Sequence, residues 1–137
     1  MSIKINRLQH IGIPVTSLLR SEVFYQKLGF KNVMAAAFDH VDGKGKVMMM
    51  QLGNIIIELY EMPGAALEAV RQRRDGHIDH IAFDVDDIVA AWQAAKEMGL
   101  QVVETEPVFL PFWKKGCKYF NITGPDGERL EFNEIIK

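Results

Sequence analysis

Four residues of this chain, His10, Glu58, His80 and Glu131, are of types that hold divalent metal ions, and they fall into two matching pairs. Imidazole nitrogen and carboxylate oxygen suit borderline and hard cations, and a cation held by both can polarise a substrate oxygen. Each histidine sits in a short run that alternates with period two. In DHIAFDV, residues 79–85, Ile81, Phe83 and Val85 point to one face of a strand, and His80, Ala82 and Asp84 point to the other. A histidine inside a strand needs a partner, and the plainest one is a hydrogen bond in an ordinary core.

The elements that position these residues occur twice. RLQHIGIPV (7–15) and HIDHIAFDV (77–85) carry His, Ile, a small residue, an apolar residue and Val in the same order. After each comes a helix pattern, TSLLRSEVFYQKLGF (16–30) and DDIVAAWQAAKEMGL (86–100), opening on capping residues and closing at Gly29 and Gly99. Three strands then follow in the first half, FKNVMAAAFD, GKVMMMQLG and NIIIELYE, separated by turn chemistry at DHVDGKGK and Gly53-Asn54. The second half reads the same way as QVVETEPVFL, KGCKYFNI and ERLEFNE, with a turn at Thr123-Gly124-Pro125-Asp126-Gly127. MPGAALEAVRQRRDG (62–76) is a linker with a short helix over about 65–73.

The last strand of each half carries one carboxylate among apolar neighbours: Glu58 between Ile57 and Leu59, Glu131 between Leu130 and Phe132. Burying an unpaired carboxylate is costly, whereas a divalent cation offsets the cost and engages histidine nitrogens at the same time. The repeat therefore makes two packed histidines a poorer explanation than one shared site.

The chain has 137 residues, the size of one domain, organised as module one (about 5–61), the linker (about 62–76) and module two (about 77–137). With 25% charged residues and a formal charge of -2, it lacks the broad positive field that draws proteins to nucleic acid or anionic membranes. No apolar run reaches membrane-spanning length and the N-terminus has no secretory pattern, which points to the cytoplasm. Cys117, the single cysteine, suits a reducing compartment and reads as a packed thiol.

These motifs resemble the vicinal oxygen chelate superfamily of glyoxalase, bleomycin resistance and dioxygenase proteins. The resemblance covers nearly the whole chain and includes the ending GPDGERLEFNE. It implies an α+β fold in which two βαβββ modules form curved mixed sheets around a metal. Its ligands would be His10, Glu58, His80 and Glu131, taking one ion of nickel, cobalt, zinc, manganese or iron. It also implies a small-molecule substrate with adjacent oxygen atoms, and an enediolate formed when a carboxylate removes the proton beside a chelated carbonyl. That role falls to Glu131 first and Glu58 second.

Two members fit best. Glutamate at both carboxylate positions resembles glyoxalase I, the lactoylglutathione lyase. The chain departs from the bacterial enzyme where glutathione is gripped, with Pro14 in place of an arginine and the EMPG stretch in place of an asparagine. IELYEMPG, the helical linker and HIDHIAFDVDDI instead resemble methylmalonyl-CoA epimerase, which usually has glutamine at the Glu58 position. A fosfomycin-type transferase needs only three ligands and leaves Glu58 surplus, and an extradiol dioxygenase would find Glu58 where oxygen or catechol must bind. A metal-free binding protein on the same fold leaves the four ligand-type residues unexplained.

Other residues carry weaker signals. FLPFWKK offers Phe112, Trp113, Lys114 and Lys115 to cover a substrate and neutralise its anionic group, or equally a surface loop with one buried aromatic residue. His77 belongs to the turn before His80, His40 to the solvated DGKGK turn, and Met48–Met50 to strand core. The two similar halves and an apolar sheet surface suggest a homodimer, with each site built within one chain or across two.

Overall fold

A computed structural model describes residues 2–73, 76–125, 127 and 129–137. The elements run β1 (Arg7–Pro14), α1 (Leu18–Lys27), β2 (Lys31–His40), β3 (Gly43–Leu52), β4 (Ile55–Glu61), α2 (Gly64–Arg71), β5 (His80–Asp84), α3 (Ile88–Glu97), β6 (Gln101–Val102), β7 (Val108–Leu110), β8 (Cys117–Thr123) and β9 (Arg129–Ile135). They form two compact units, His10–Asp79 and residues 2–9 with 80–137, and the boundary passes within β1 between Gln9 and His10. The class is α+β, as the sequence indicates.

In the first unit the strand order is β2-β3-β4-β1, with β1 parallel to β4 and the remaining pairs antiparallel. The period-two pattern sends Ile57 and Leu59 of β4 and Met48 and Met50 of β3 into one cluster with Leu18 of α1, against which Ile11, Ile13 and Tyr25 pack. Met48, Met49 and Met50 are all buried, so the methionine run is strand core. The opposite face of β1 and β4 carries His10, Gly12 and Glu58, and Gly12 stands in register with Glu58.

The second unit repeats the arrangement as β5-β9-β8-β6, with β5 parallel to β9 and β7 added on β8. Val85, Phe120 and Phe132 pack with Ile88, Ala91 and Ala95 of α3, and the Phe120 and Phe132 rings stack at 5.1 Å. Glu131 lies on the other face, in register with Ala82. Across the parallel pair the residue in register with each glutamate is thus glycine or alanine, the small residue of the repeated motif, while across the antiparallel pair Met49 stands beside Glu58 and Asn121 beside Glu131.

The halves also share how the last strand grips the helix. Leu18 N donates to Glu61 Oε1 at 2.9 Å, and Ile88 N donates to Glu134 Oε1 at 2.9 Å. Ser17 Oγ accepts from Arg20 N and Asp87 Oδ1 from Ala90 N, so a side-chain cap and a strand carboxylate together satisfy helix-start N–H groups.

One element differs from the sequence reading. QVVETEPVFL is not a single strand; it is broken into β6 and β7. The ladder runs as far as Val103 N, which donates to Asn121 O, and there the Glu104 carboxylate replaces it, accepting from Asn121 N at 2.6 Å. Pro107 adds a residue with no N–H to continue pairing. The expected linker helix is α2, and in the final turn Asp126, with Glu128 just after it, lies outside the described residues.

Phe120 is fully buried and touches the centre of the second core. Phe120→Ala is expected to lower the free energy of unfolding by about 3–5 kcal/mol, read from urea denaturation at unchanged slope.

Candidate metal centre

Each unit presents one histidine and one glutamate to each other. In the first, His10 Nε2 lies 3.8 Å from Glu58 Oε1; in the second, His80 Nε2 lies 3.4 Å from Glu131 Oε1. The histidines are 2% and 8% exposed and Glu131 is 8% exposed, so these are groups withdrawn from water rather than a solvated surface pair. The strands produce this directly: His10 precedes Gly12 by two residues, His80 precedes Ala82 by two, and those small residues face Glu58 and Glu131 across the parallel pairs.

The spacing can be tested against what an ion requires. Donor atoms each about 2.1 Å from an ion stand roughly 3.0 Å apart at a right angle and about 3.4 Å apart at the tetrahedral angle. The separation in the second unit matches the tetrahedral figure, and that in the first is slightly wider. An imidazole nitrogen with a carboxylate oxygen is a donor pair that borderline divalent cations accept. His10 with Glu58 in the first unit, and His80 with Glu131 in the second, are such pairs.

Behind Glu131 is a set of polar side chains that the sequence reading did not single out. Asn133 Nδ2 donates to Glu131 Oε2 at 2.8 Å and lies 3.8 Å from Cys117 Sγ. Gln9 Nε2 donates to Asn133 Oδ1 and to its backbone oxygen, both at 3.1 Å, and to Asp84 Oδ1 at 3.2 Å. Asn133 was legible, because it is two residues after Glu131 and so shares its face; Gln9 had no such signal. Asn121, in register with Glu131, is tied through Nδ2 to Glu104 Oε2 at 2.9 Å, while its buried Oδ1 has no hydrogen-bond partner among the described residues.

The remaining sequence candidates are dispersed in role. Phe112 is buried and Lys114 and Lys115 are exposed. Trp113 adopts φ 66, rare for an aromatic residue, and its buried Nε1 has no hydrogen-bond partner among the described residues. His77 is exposed, and His40 Nδ1 accepts from Asp42 N in the β2–β3 turn.

Comparison with known proteins agrees with this architecture. The family model described as "Glyoxalase/Bleomycin resistance protein/Dioxygenase superfamily" matches residues 7–132. The chain belongs to this superfamily. Among relatives of this superfamily member, the uncharacterized protein YwbC of Bacillus subtilis (strain 168) is 32% identical over 130 residues, covering 92% of this chain and 95% of that one. The hypothetical protein BH1468 of Bacillus halodurans C-125 superposes with a TM-score of 0.78 at 30% identity, covering 98% and 97% of the two chains. Methylmalonyl-CoA epimerase from Mycobacterium tuberculosis superposes with a TM-score of 0.80 at 18% identity over 100% and 93%, a likeness of fold. Superfamily members commonly use a divalent metal, and many are enzymes. Among the described residues no helix is long and apolar enough to cross a membrane.

The Glu104 carboxylate accepts from both the backbone N–H and the side-chain Nδ2 of buried Asn121. Glu104→Ala is expected to cost about 1–3 kcal/mol of stability by stranding those donors, measurable by thermal or urea unfolding.

Proposed function

We propose that this superfamily member is a metal-dependent lyase or isomerase of the glyoxalase I kind. In this reading His10, Glu58, His80 and Glu131 together hold one divalent ion of nickel, cobalt, zinc, manganese or iron. The observation that supports it most is the duplication: each half sets a buried histidine and a glutamate at metal-compatible spacing, with a small residue kept opposite the carboxylate. Two unrelated structural pairs would have no reason to repeat the small in-register residue as well as the side chains. Residues 1–137 act as one domain of two modules, about 5–61 and 77–137, joined by the linker at 62–76. The protein works as a homodimer in the cytoplasm, where Cys117 stays a reduced, packed thiol.

When bound, the ion would polarise a substrate carbonyl and stabilise the charge formed as the neighbouring C–H bond breaks. Glu131 removes that proton, and a carboxylate returns it to the adjacent carbon, so the substrate isomerises with no change in its atoms. Glu58 is the second proton carrier. Trp113, whose indole N–H has no hydrogen-bond partner among the described residues, and the Phe112, Lys114 and Lys115 stretch cover the substrate and meet its anionic group.

A second reading returns the proton to the same carbon from the opposite face, as in an epimerase. It is favoured by the fold likeness to methylmalonyl-CoA epimerases, including one in complex with methylmalonyl-CoA at a TM-score of 0.75 and 21% identity. Two carboxylates, one from each half, provide a base for either face.

Elemental mass spectrometry of protein reloaded with nickel, cobalt, zinc or manganese should find about one ion per chain, with retention reduced in His80→Ala and Glu131→Gln. Binding should weaken on acidification, because both imidazoles must be neutral to act as ligands. On loaded protein, conversion of a 2-oxoaldehyde hemithioacetal supports the lyase, and loss of α-deuterium from an acyl-CoA supports the epimerase. Glu131→Gln should lower whichever turnover is found by roughly 10²- to 10⁴-fold. Stoichiometric small-molecule binding with no specific metal under any loading condition would remove the mechanism.

A further inference from the structure

We infer that Asn133 and Gln9 are positioning residues that fix the orientation of the Glu131 carboxylate by holding its Oε2, with Oε1 turned to His80. This rests on the metal-centre reading above and adds to it a fixed orientation for Glu131.

The polarity of the hydrogen bonds allows only one arrangement. The Asp84 carboxylate accepts from Gln9 Nε2 at 3.2 Å and from Asn6 Nδ2 at 3.0 Å. As an ionised carboxylate only accepts, the Gln9 amide must turn its NH₂ toward it, and that same NH₂ reaches Asn133 Oδ1 and O at 3.1 Å. The oxygen of the Asn133 amide is thereby held at Gln9 and its nitrogen at Glu131 Oε2, at 2.8 Å. A flipped Asn133 would set nitrogen against nitrogen at Gln9 and oxygen against oxygen at Glu131, losing two hydrogen bonds and adding two repulsions. The sulfur of Cys117, 3.8 Å away, also accepts from Nδ2.

Gln9, Asn133 and Glu131 are 2%, 3% and 8% exposed, so water does not compete strongly for these groups. With Oε2 held by Asn133, Oε1 is the oxygen directed to His80 Nε2 at 3.4 Å. Val15 N donates to Tyr60 O and Val85 N donates to Asn133 O, so a tyrosine stands in the first half where the asparagine stands in the second.

The test uses the full chain and Ni²⁺ or Co²⁺ alone as the probe, comparing wild type with Asn133→Leu, Asn133→Asp, Gln9→Met and Glu131→Gln. Three quantities are measured: dissociation constants by competition with a chelating dye, the visible absorption of the Co²⁺ form, and unfolding temperature without metal. The two Asn133 variants should bind about 10- to 100-fold more weakly and shift the Co²⁺ bands, since support groups of this kind orient a ligand. Gln9→Met should move both readouts in the same direction by a smaller amount. A merely structural role would lower the unfolding temperature and leave the dissociation constant and spectrum of the folded protein unchanged, which would overturn the inference. Should neither Asn133 variant fold, wild-type affinity and spectrum in Gln9→Met would overturn it equally. Loss of binding in Glu131→Gln alone defeats only the positioning role. Unchanged binding in Glu131→Gln defeats the metal-centre reading and the inference with it.

Discussion

The cost of placing a carboxylate inside a sheet is the constraint from which most of this structure follows. Glu58 and Glu131 stand on the final strands of their units with apolar residues on either side along the chain. Ionised and alone, each would destabilise the strand that carries it. Each instead faces an imidazole from the first strand of the repeat, and this requires the first and last strands to be parallel neighbours. A parallel pair needs a crossover connection, which is why helix, further strands and turns intervene between the histidine and the glutamate of each half.

The same requirement explains the small residues and the second pair of glutamates. Gly12 and Ala82 stand in register with the carboxylates, while Ile57, Leu59, Phe120 and Phe132 fill the opposite faces and anchor α1 and α3. Glu61 and Glu134, three residues beyond Glu58 and Glu131, reach the first N–H of each helix and tie the last strand to the element that covers its back. Polar chemistry and hydrophobic packing are separated by strand alternation alone, so one seven-residue strand serves both.

The halves are not identical in the residues behind their glutamates. Asp84, Gln9 and Asn133 form a hydrogen-bonded chain to Glu131 in one, and Tyr60 stands at the place of Asn133 in the other.

The sequence by itself determined the α+β class, the two-fold repeat, most element boundaries and the four ligand-type residues, because period-two alternation and turn chemistry are local and the repeat supplies an internal check. It also placed Met48–Met50 in the core. Tertiary structure decided what local pattern cannot carry. The break of QVVETEPVFL into β6 and β7 depends on Glu104 capturing Asn121 from 17 positions along the chain. The role of Gln9 depends on an amide reaching Asn133, 124 residues away. Trp113 takes its left-handed backbone within a loop whose sequence reads as ordinary. For Glu104 and Gln9 a hydrogen bond to a distant partner overrides or supplements the local preference, and only the folded chain brings those partners within reach.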